Sequence, residues 1–180
     1  MVNSPRQSAA GPPKAARPAI LLGLFSDPSG QKRAFNLEQN IIQHIQNTLE
    51  RIHTDAPSSF ASHIPIQALS YDPNTSTFLY RVTVIPALAN LWGIAHGGML
   101  ATIFDTCMGC SVRALCGGAI SRTVSLSVNY LRPVPLERML YVQVQVVKKG
   151  AKLVFTDLKA SLDPKDASFT NTAASVFALL

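Results

Sequence analysis

The chain contains 180 residues, of which 47% are apolar and 14% charged, and its formal net charge is +6. This length and composition predict one domain with a substantial core plus an extension. Five of the sixteen Lys and Arg residues precede residue 36, where only one acid occurs, so the rest of the chain is almost neutral. A surface that binds nucleic acid is therefore not expected.

The first 35 residues combine proline, small residues and scattered positive charge. This composition is typical of a flexible extension, so we assign residues 1–35 to an extension and residues 36–180 to the folded domain. Its low acid content resembles a mitochondrial targeting segment, although prolines would interrupt the helix of such a segment, so cytoplasmic and mitochondrial locations both stay open. The apolar run of residues 19–25 is too short to span a bilayer, and no membrane span is expected.

Hydrophobic periodicity predicts the secondary structure of the domain. Isoleucine and leucine residues three and four positions apart indicate an amphipathic helix from Asn36 to His53, on which His44 and His53 are expected to be solvated or at the helix end. A two-stranded hairpin and a long helix from His96 or Gly97 to about Leu115 are predicted next, followed by four more strands. The six predicted strands are His63–Tyr71, Thr77–Ile85, Ser121–Leu131, Met139–Lys148, Lys152–Leu162 and Ser168–Leu179.

The order of these elements predicts an α+β fold. Helices and strands are segregated along the chain, which favours an antiparallel sheet packed against one dominant helix over a doubly wound parallel sheet. Apolar and polar residues largely alternate in the last four strands, so one face of the sheet is expected to be buried and the other partly exposed.

The segment Asn90–Leu115 concentrates the residues suited to catalysis. His96, Gly97 and Gly98 stand at the start of the long helix, where backbone amides lack helical acceptors and can bind an oxyanion. Asp105 follows eight residues after Gly97 in a mainly apolar helix, where burying a carboxylate is costly unless it has a partner or a function. From the residues alone, a catalytic and a structural role for this carboxylate are equally open.

Three cysteines, Cys107, Cys110 and Cys116, lie on this helix or at its end. An odd, clustered set is not a disulfide framework and favours a reducing compartment. No strand-to-helix turn precedes the Cys107–Cys110 pair, so we expect core packing rather than redox chemistry. A zinc site is not expected either, because no cluster of His or acidic residues adjoins the cysteines.

With these residues the chain resembles the hotdog-fold thioesterases, specifically the PaaI-like acyl-CoA thioesterases of the 4-hydroxybenzoyl-CoA thioesterase superfamily. The resemblance covers about residues 36–180 and rests on Asn90, the run GIAHGG from Gly93 to Gly98, Asp105, and the strand TVSLSVNYLRPV from Thr123 to Val134. It implies a curved antiparallel sheet wrapped around a long central helix, an N-terminal helix, and paired subunits that share two active sites. It also implies hydrolysis without a metal or other cofactor.

The resemblance further implies roles for individual residues. The Gly97 amide would bind the thioester carbonyl oxygen, and Asp105 would act as nucleophile or general base. Asn90 and His96 would shape the carbonyl site, and Thr123 would help to orient water. The substrate site would be lined by Gly98, Trp92 and Met99.

The spacing of Gly97 and Asp105 predicts a homodimer. Eight residues at about 1.5 Å rise place them roughly 12 Å apart, yet both must come within about 3 Å of one reacting centre. An antiparallel second copy of the helix would bring its own Asp105 opposite Gly97, which gives composite sites in a two-fold dimer. A dimer of dimers is also open.

The expected substrate is an acyl-CoA. Three alternatives are a carrier-protein thioester from fatty-acid or polyketide metabolism, a non-catalytic acyl-CoA-binding module, and a hotdog-fold dehydratase. Basic residues near the strand turns are candidates for binding the CoA phosphates, although each is equally explained as a solvated turn charge: Arg132, Arg138, Lys148, Lys149 and Lys152.

Overall fold

The computed structural model describes residues 28–165 and 168–180. Within these ranges the long helices are α1 (Pro28–Asp55) and α2 (Gly97–Leu115), and short 3-10 helices cover Phe60–His63 and Pro86–Leu88. The strands are β1 (Ile66–Asp72), β2 (Thr77–Thr83), β3 (Ser121–Tyr130), β4 (Met139–Lys149), β5 (Leu153–Ser161) and β6 (Asn171–Leu179).

The six strands form one antiparallel sheet in the order β1-β2-β4-β5-β6-β3, so β1 and β3 are its edges. Three of the strand pairings contain a register shift, at Ala68/Ser70, Thr123/Ser125 and Val146/Lys148. Such bulges bend a strand and increase its twist, which allows a sheet to curve around a helix. The predicted α+β hotdog fold is confirmed.

The core lies between α2 and one face of the sheet. Alternate residues of β4 and β5 are buried there, while those between them face outward. From α2, the side chains of Ile103, Phe104 and Met108 are fully buried. Each such burial contributes about 1.5–3 kcal/mol, so packing fixes the position of the helix that carries the candidate site.

A buried hydrogen-bonded chain also sets the rotation of α2. The hydroxyl oxygens of Tyr80 and Ser111 lie 2.6 Å apart, and Ser111 donates to the Cys107 carbonyl oxygen at 2.9 Å. Since Ser111 uses its proton for Cys107, Tyr80 is the donor to Ser111. The contact joins β2 to one face of α2, and Asp105 lies on a different face, six residues earlier.

The first helix covers the edge of the sheet at β1. Ile45 and Leu49 of α1 are buried, Gln46 Nε2 donates to the Ala68 carbonyl oxygen at 3.1 Å, and the Tyr71 amide donates to Glu38 Oε1 at 3.4 Å. These contacts pair backbone groups of an edge strand that would otherwise be open to another chain.

Helix α1 begins at Pro28, so the predicted start at Asn36 is wrong. Proline is accepted in the first helical turn, where its missing amide proton is not needed. Residues 1–27 lie outside the described part of the chain, and their predicted flexibility stays a prediction. His44 is half-buried against Gly118 instead of solvated, and its Nε2 is buried without a hydrogen-bond partner among the described residues.

Two strands begin three residues later than predicted. Strand β1 starts at Ile66 because Phe60–His63 forms a 3-10 helix whose Ser59 cap accepts a hydrogen bond from the Ser62 amide. Strand β6 starts at Asn171 rather than Ser168. In residues 28–165 and 168–180, no helix is both long enough and apolar enough to cross a membrane.

Candidate active site

Asn90 organises the loop that leads into α2. Its Oδ1 accepts hydrogen bonds from the amides of Trp92 at 2.9 Å and Ile94 at 3.3 Å, and its own amide donates to the Ile94 carbonyl oxygen at 2.8 Å. Gly93 completes the turn with a φ of +72°, a conformation that favours glycine. The Asn90 Nδ2 group makes no hydrogen bond within the described residues, so it is available to a ligand.

His96 caps the start of α2. Its backbone is extended, and its Nδ1 accepts a hydrogen bond from the Gly98 amide at 3.0 Å. Its own amide donates to the Leu88 carbonyl oxygen at 2.7 Å, which ties the cap to the preceding loop. In the neutral ring an accepting Nδ1 leaves the proton on Nε2. The contacts of His96 are those of a residue that positions the helix start.

Gly97 is the first residue of α2, and its amide meets no acceptor in the part of the chain that the structure describes. Tyr130 at the end of β3 donates from its hydroxyl to the Gly97 carbonyl oxygen at 2.8 Å. A Cβ at position 97 would lie 3.3 Å from the tyrosine ring, so this close approach favours glycine. No site role was predicted for Tyr130, because its contact with Gly97 depends on how β3 lies beside the start of α2.

Asp105 is half-buried in the middle of α2 and faces β3. Thr123 Oγ1 donates to its Oδ1 at 2.8 Å. The register shift at Thr123/Ser125 lies at this position, where it redirects the strand beside the helix. The second carboxylate oxygen, Oδ2, has no hydrogen-bond partner among the described residues, and Asp105 lines a cleft of about 280 Å³.

Gly97 and Asp105 line two different clefts. The cleft at Gly97 has a volume of about 350 Å³ and includes Asn90, Tyr130 and Arg132. The cleft at Asp105 includes Thr123 but not the start of α2. One chain thus brings Asn90 close to Gly97 and Thr123 to Asp105, but it does not bring the two pairs together.

The three predicted substrate-lining residues lie apart from both clefts. Trp92 is 81% exposed and its neighbour Leu91 is 97% exposed. Gly98 is exposed, and its amide is already bonded to His96. Met99 packs against the core. Within one chain, none of the three lines the cleft at Gly97 or the cleft at Asp105.

The paired cysteines are buried, as the sequence analysis predicted. Burial raises the pKa of the Cys110 thiol to about 12, although the nearby Arg113 charge lowers it, and burial also raises the pKa of Cys107 well above its ordinary value. Both thiols therefore stay protonated near neutral pH and are poor nucleophiles. No three His, Cys, Asp or Glu side chains in the two described ranges are arranged to hold a metal ion.

Known protein sequences resemble this chain over part of its length. The sequence model of the thioesterase superfamily matches residues 93–165. The chain is 33% identical to the acyl-coenzyme A thioesterase THEM4 of Xenopus laevis over 90 residues, which is 50% of this chain and 39% of the relative. Identity to THEM4 of Bos taurus is 35% over 81 residues, 44% of this chain and 32% of the relative. The chain thus spans well under half the length of these relatives.

Solved structures share the fold. Zebrafish thioesterase superfamily member 2 matches with a TM-score of 0.65 and 20% identity, over 77% of this chain and 98% of that one. The Escherichia coli PaaI protein matches with a TM-score of 0.63 and 16% identity, over 78% and 96%. The Streptococcus mutans protein smu.793, solved with acetyl CoA, gives a TM-score of 0.57 and 21% identity, over 64% and 89%. The predicted resemblance is confirmed by the hotdog fold that these structures share with the chain and by the thioesterase superfamily match over residues 93–165.

Proposed function

We propose that this chain, a hotdog-fold protein whose residues 93–165 match the thioesterase superfamily, hydrolyses acyl-CoA thioesters to a free acid and CoA. The proposal rests on the contacts of Asp105: its Oδ1 accepts a hydrogen bond from Thr123, its Oδ2 has no partner among the described residues, and the residue lines a cleft. The names of the THEM4 relatives and the acetyl CoA bound to smu.793 support the choice of substrate.

The chemistry requires a nucleophile on one side of the carbonyl and hydrogen-bond donors on the other. The unpaired Gly97 amide, at the positive end of the α2 dipole, would bind the carbonyl oxygen as negative charge develops there. Asp105 would either remove a proton from the attacking water or attack the carbonyl itself. In both cases the carbon–sulfur bond breaks, CoA leaves as the thiol, and one water is consumed.

A purely structural role for Asp105 is the main competing interpretation. A buried structural carboxylate is expected to have hydrogen-bond partners for its oxygens. Asp105 instead accepts one bond, from a threonine whose hydroxyl can orient a carboxylate without neutralising it. A non-catalytic acyl-CoA-binding module would not need an acid held in this way.

The active site is proposed to form between two subunits. Gly97 and Asp105 occupy separate clefts about 12 Å apart along α2, so one chain presents half of each site. Strand β3 is an edge of the sheet, and Val124 beside Thr123 is 61% exposed there. An antiparallel partner at this edge would bring Asp105 of one copy to Gly97 of the other. A dimer of such dimers is compatible with the same site.

Arg132 is the basic residue best placed for the CoA phosphates, because it lines the same cleft as Gly97. Lys149 is already engaged, since its Nζ donates to the Leu115 carbonyl oxygen at 2.8 Å. A thioester on a carrier protein would offer one phosphate on a long arm, so the two substrate classes should differ in their dependence on Arg132.

The proposal is tested by thiol release from short, medium, long and aromatic acyl-CoA substrates, with the native protein and Asp105→Asn compared. We expect turnover by the native protein and a loss of about two or more orders of magnitude in the variant, with an unchanged melting temperature. Equal activity in the two proteins would refute the role of Asp105. Turnover only with carrier-protein thioesters would show that the substrate is presented by a carrier protein rather than by CoA. No turnover of any thioester would favour a non-catalytic binding module.

A further inference from the structure

The cleft at Asp105 continues along α2 beyond the candidate site. A second cleft of about 290 Å³ shares Thr48, Ile52 and Arg113 with it. Positions 105, 109 and 113 of α2 are four residues apart, so they lie on one face of the helix. Together the two clefts form a groove that starts at Asp105, passes between α1 and α2, and reaches Arg113.

The lining of this groove changes along its length. Beyond Asp105 the walls combine apolar side chains with hydroxyl groups and the bare Gly109. The apolar side chains are Ile52, Ile120 and Phe177, and the hydroxyls belong to Thr48, Thr106 and Ser121. At the far end Arg113 lines both clefts, and the Arg51–Asp55 ion pair lines the second one. Because the charges of that pair offset each other, the unpaired charge at the end of this partly apolar passage is the Arg113 cation, which suits an acyl chain with an anionic terminus.

Arg113 lies in the last turn of α2, where the helix dipole favours a cation, but its guanidinium has no bonded partner among the described residues. It is half-buried, and it makes no side-chain hydrogen bond or ion pair within the described residues. The neighbouring Arg51 is already paired with Asp55 at 3.0 Å. The carbonyl end of α2 already has a cation, because Lys149 donates to the Leu115 carbonyl oxygen. The Arg113 guanidinium therefore keeps its donors for a ligand.

We propose that Arg113 selects acyl chains that end in a carboxylate, so that the preferred substrates are ω-carboxy acyl-CoA thioesters. This inference rests on the proposed thioesterase activity and places the acyl chain in the groove. Arginine presents a planar fork of donors that matches a carboxylate with two parallel hydrogen bonds.

The groove also predicts a chain length. Eight residues of α2 separate Asp105 from Arg113 by about 12 Å. Three bonds of an extended chain cover about 3.5 Å, so roughly ten bonds connect the reacting carbonyl with the terminal carboxyl. A much shorter chain would leave its carboxylate against the apolar wall and nearer to the like charge of Asp105. The preference should therefore appear near this length and vanish for short chains.

The test compares pairs of unbranched acyl-CoA substrates of equal length, one ending in a methyl group and one in a carboxylate, at about four and about ten bonds. The proteins are the native chain, Arg113→Met, which keeps an apolar stem, and Arg113→Lys, which keeps the charge. Arg81→Met serves as a control, because Arg81 is bonded to Gln67 on β1, away from the groove. The measured quantity is the ratio of kcat/KM for the carboxylate and methyl substrates.

For the native protein we expect a ratio above one at ten bonds. In Arg113→Met the ratio should fall about tenfold or more, while in Arg81→Met it should equal the native ratio. Arg113→Lys should recover part of the ratio. A native preference for the methyl substrate, or an unchanged ratio in Arg113→Met, would overturn the inference.

Failure of the proposed function is distinguishable from failure of this inference. If the native chain hydrolyses no CoA ester, calorimetric binding of the same substrate pair to native protein and Arg113→Met decides the matter. Tighter binding of the carboxylate substrate that depends on Arg113 would support the assignment. Equal binding of both substrates would refute it.

Discussion

The most specific consequence of the site geometry concerns the Gly97 amide, which is removed by Gly97→Pro. Proline is well accepted at the first position of a helix, because the amide there has no helical acceptor. The preceding residue must be extended, and His96 has φ −68° and ψ 134°. The substitution should therefore delete one backbone donor while leaving α2 in place.

The magnitude follows from the role proposed for this donor. Loss of one oxyanion donor typically costs about 10²- to 10³-fold in kcat, or roughly 2.7–4 kcal/mol. Any new side chain at position 97 also approaches the Tyr130 ring at 3.3 Å, so steric effects must be separated. Gly97→Ala provides the control, because it adds the same Cβ and keeps the amide.

The assay is thiol release from one acyl-CoA substrate at saturating concentration, with folding checked by circular dichroism and melting temperature. We expect Gly97→Pro to lose about 10²-fold or more of the kcat that remains in Gly97→Ala. If both variants lose the same activity, the loss comes from the steric contact with Tyr130 and not from removal of the Gly97 amide. That result would refute the oxyanion role of Gly97.

Two further predictions concern Thr123 and Cys110. Thr123→Val removes the hydrogen bond to Asp105, and because both groups are partly solvated we expect about a tenfold loss of kcat/KM. Thr123→Ser keeps the hydroxyl and should restore most of this loss. Equal rates in the valine and serine variants would show that the hydrogen bond does not contribute to catalysis. Burial raises the pKa of the Cys110 thiol from 9.0 to about 12, so the folded state favours the neutral thiol. The thiol's contribution to the free energy of unfolding is therefore fully present below pH 9 and is lost as the pH rises from 9 to 12. Urea unfolding at pH 8–10 should show a steeper decline in native protein than in Cys110→Ala, by up to about 1.4 kcal/mol per pH unit, and parallel slopes would contradict the assignment.

Much of the fold was accessible from the sequence because helix and strand periodicities differ and each segment keeps one of them over many residues. The long helix, the hairpin and the four later strands follow from that pattern alone. The start of α1 at Pro28 did not follow, because proline both interrupts flexible segments and begins helices, and only tertiary contacts separate the two cases.

The candidate site was accessible only where its residues lie close together in sequence. The glycines at the start of α2 and the isolated acid were visible because both are unusual within a helix. The positions of Tyr130 and Arg113 in the site could not be predicted from the sequence. The contact of Tyr130 with Gly97 depends on strand register, and the place of Arg113 in the groove depends on the packing of α1 against α2. The separation of Gly97 from Asp105 was predictable, since it follows from helical rise alone.

If each active site takes Gly97 from one subunit and Asp105 from the other, mixing of two inactive variants should restore activity. Asp105→Asn and Gly97→Pro chains are each expected to be nearly inactive alone. Unfolded together in equal amounts and refolded, they pair at random, so half of the dimers are mixed and each mixed dimer has one intact site. We predict recovery of roughly a quarter of native activity. A mixture no more active than its components would show that the two residues do not act in one shared site.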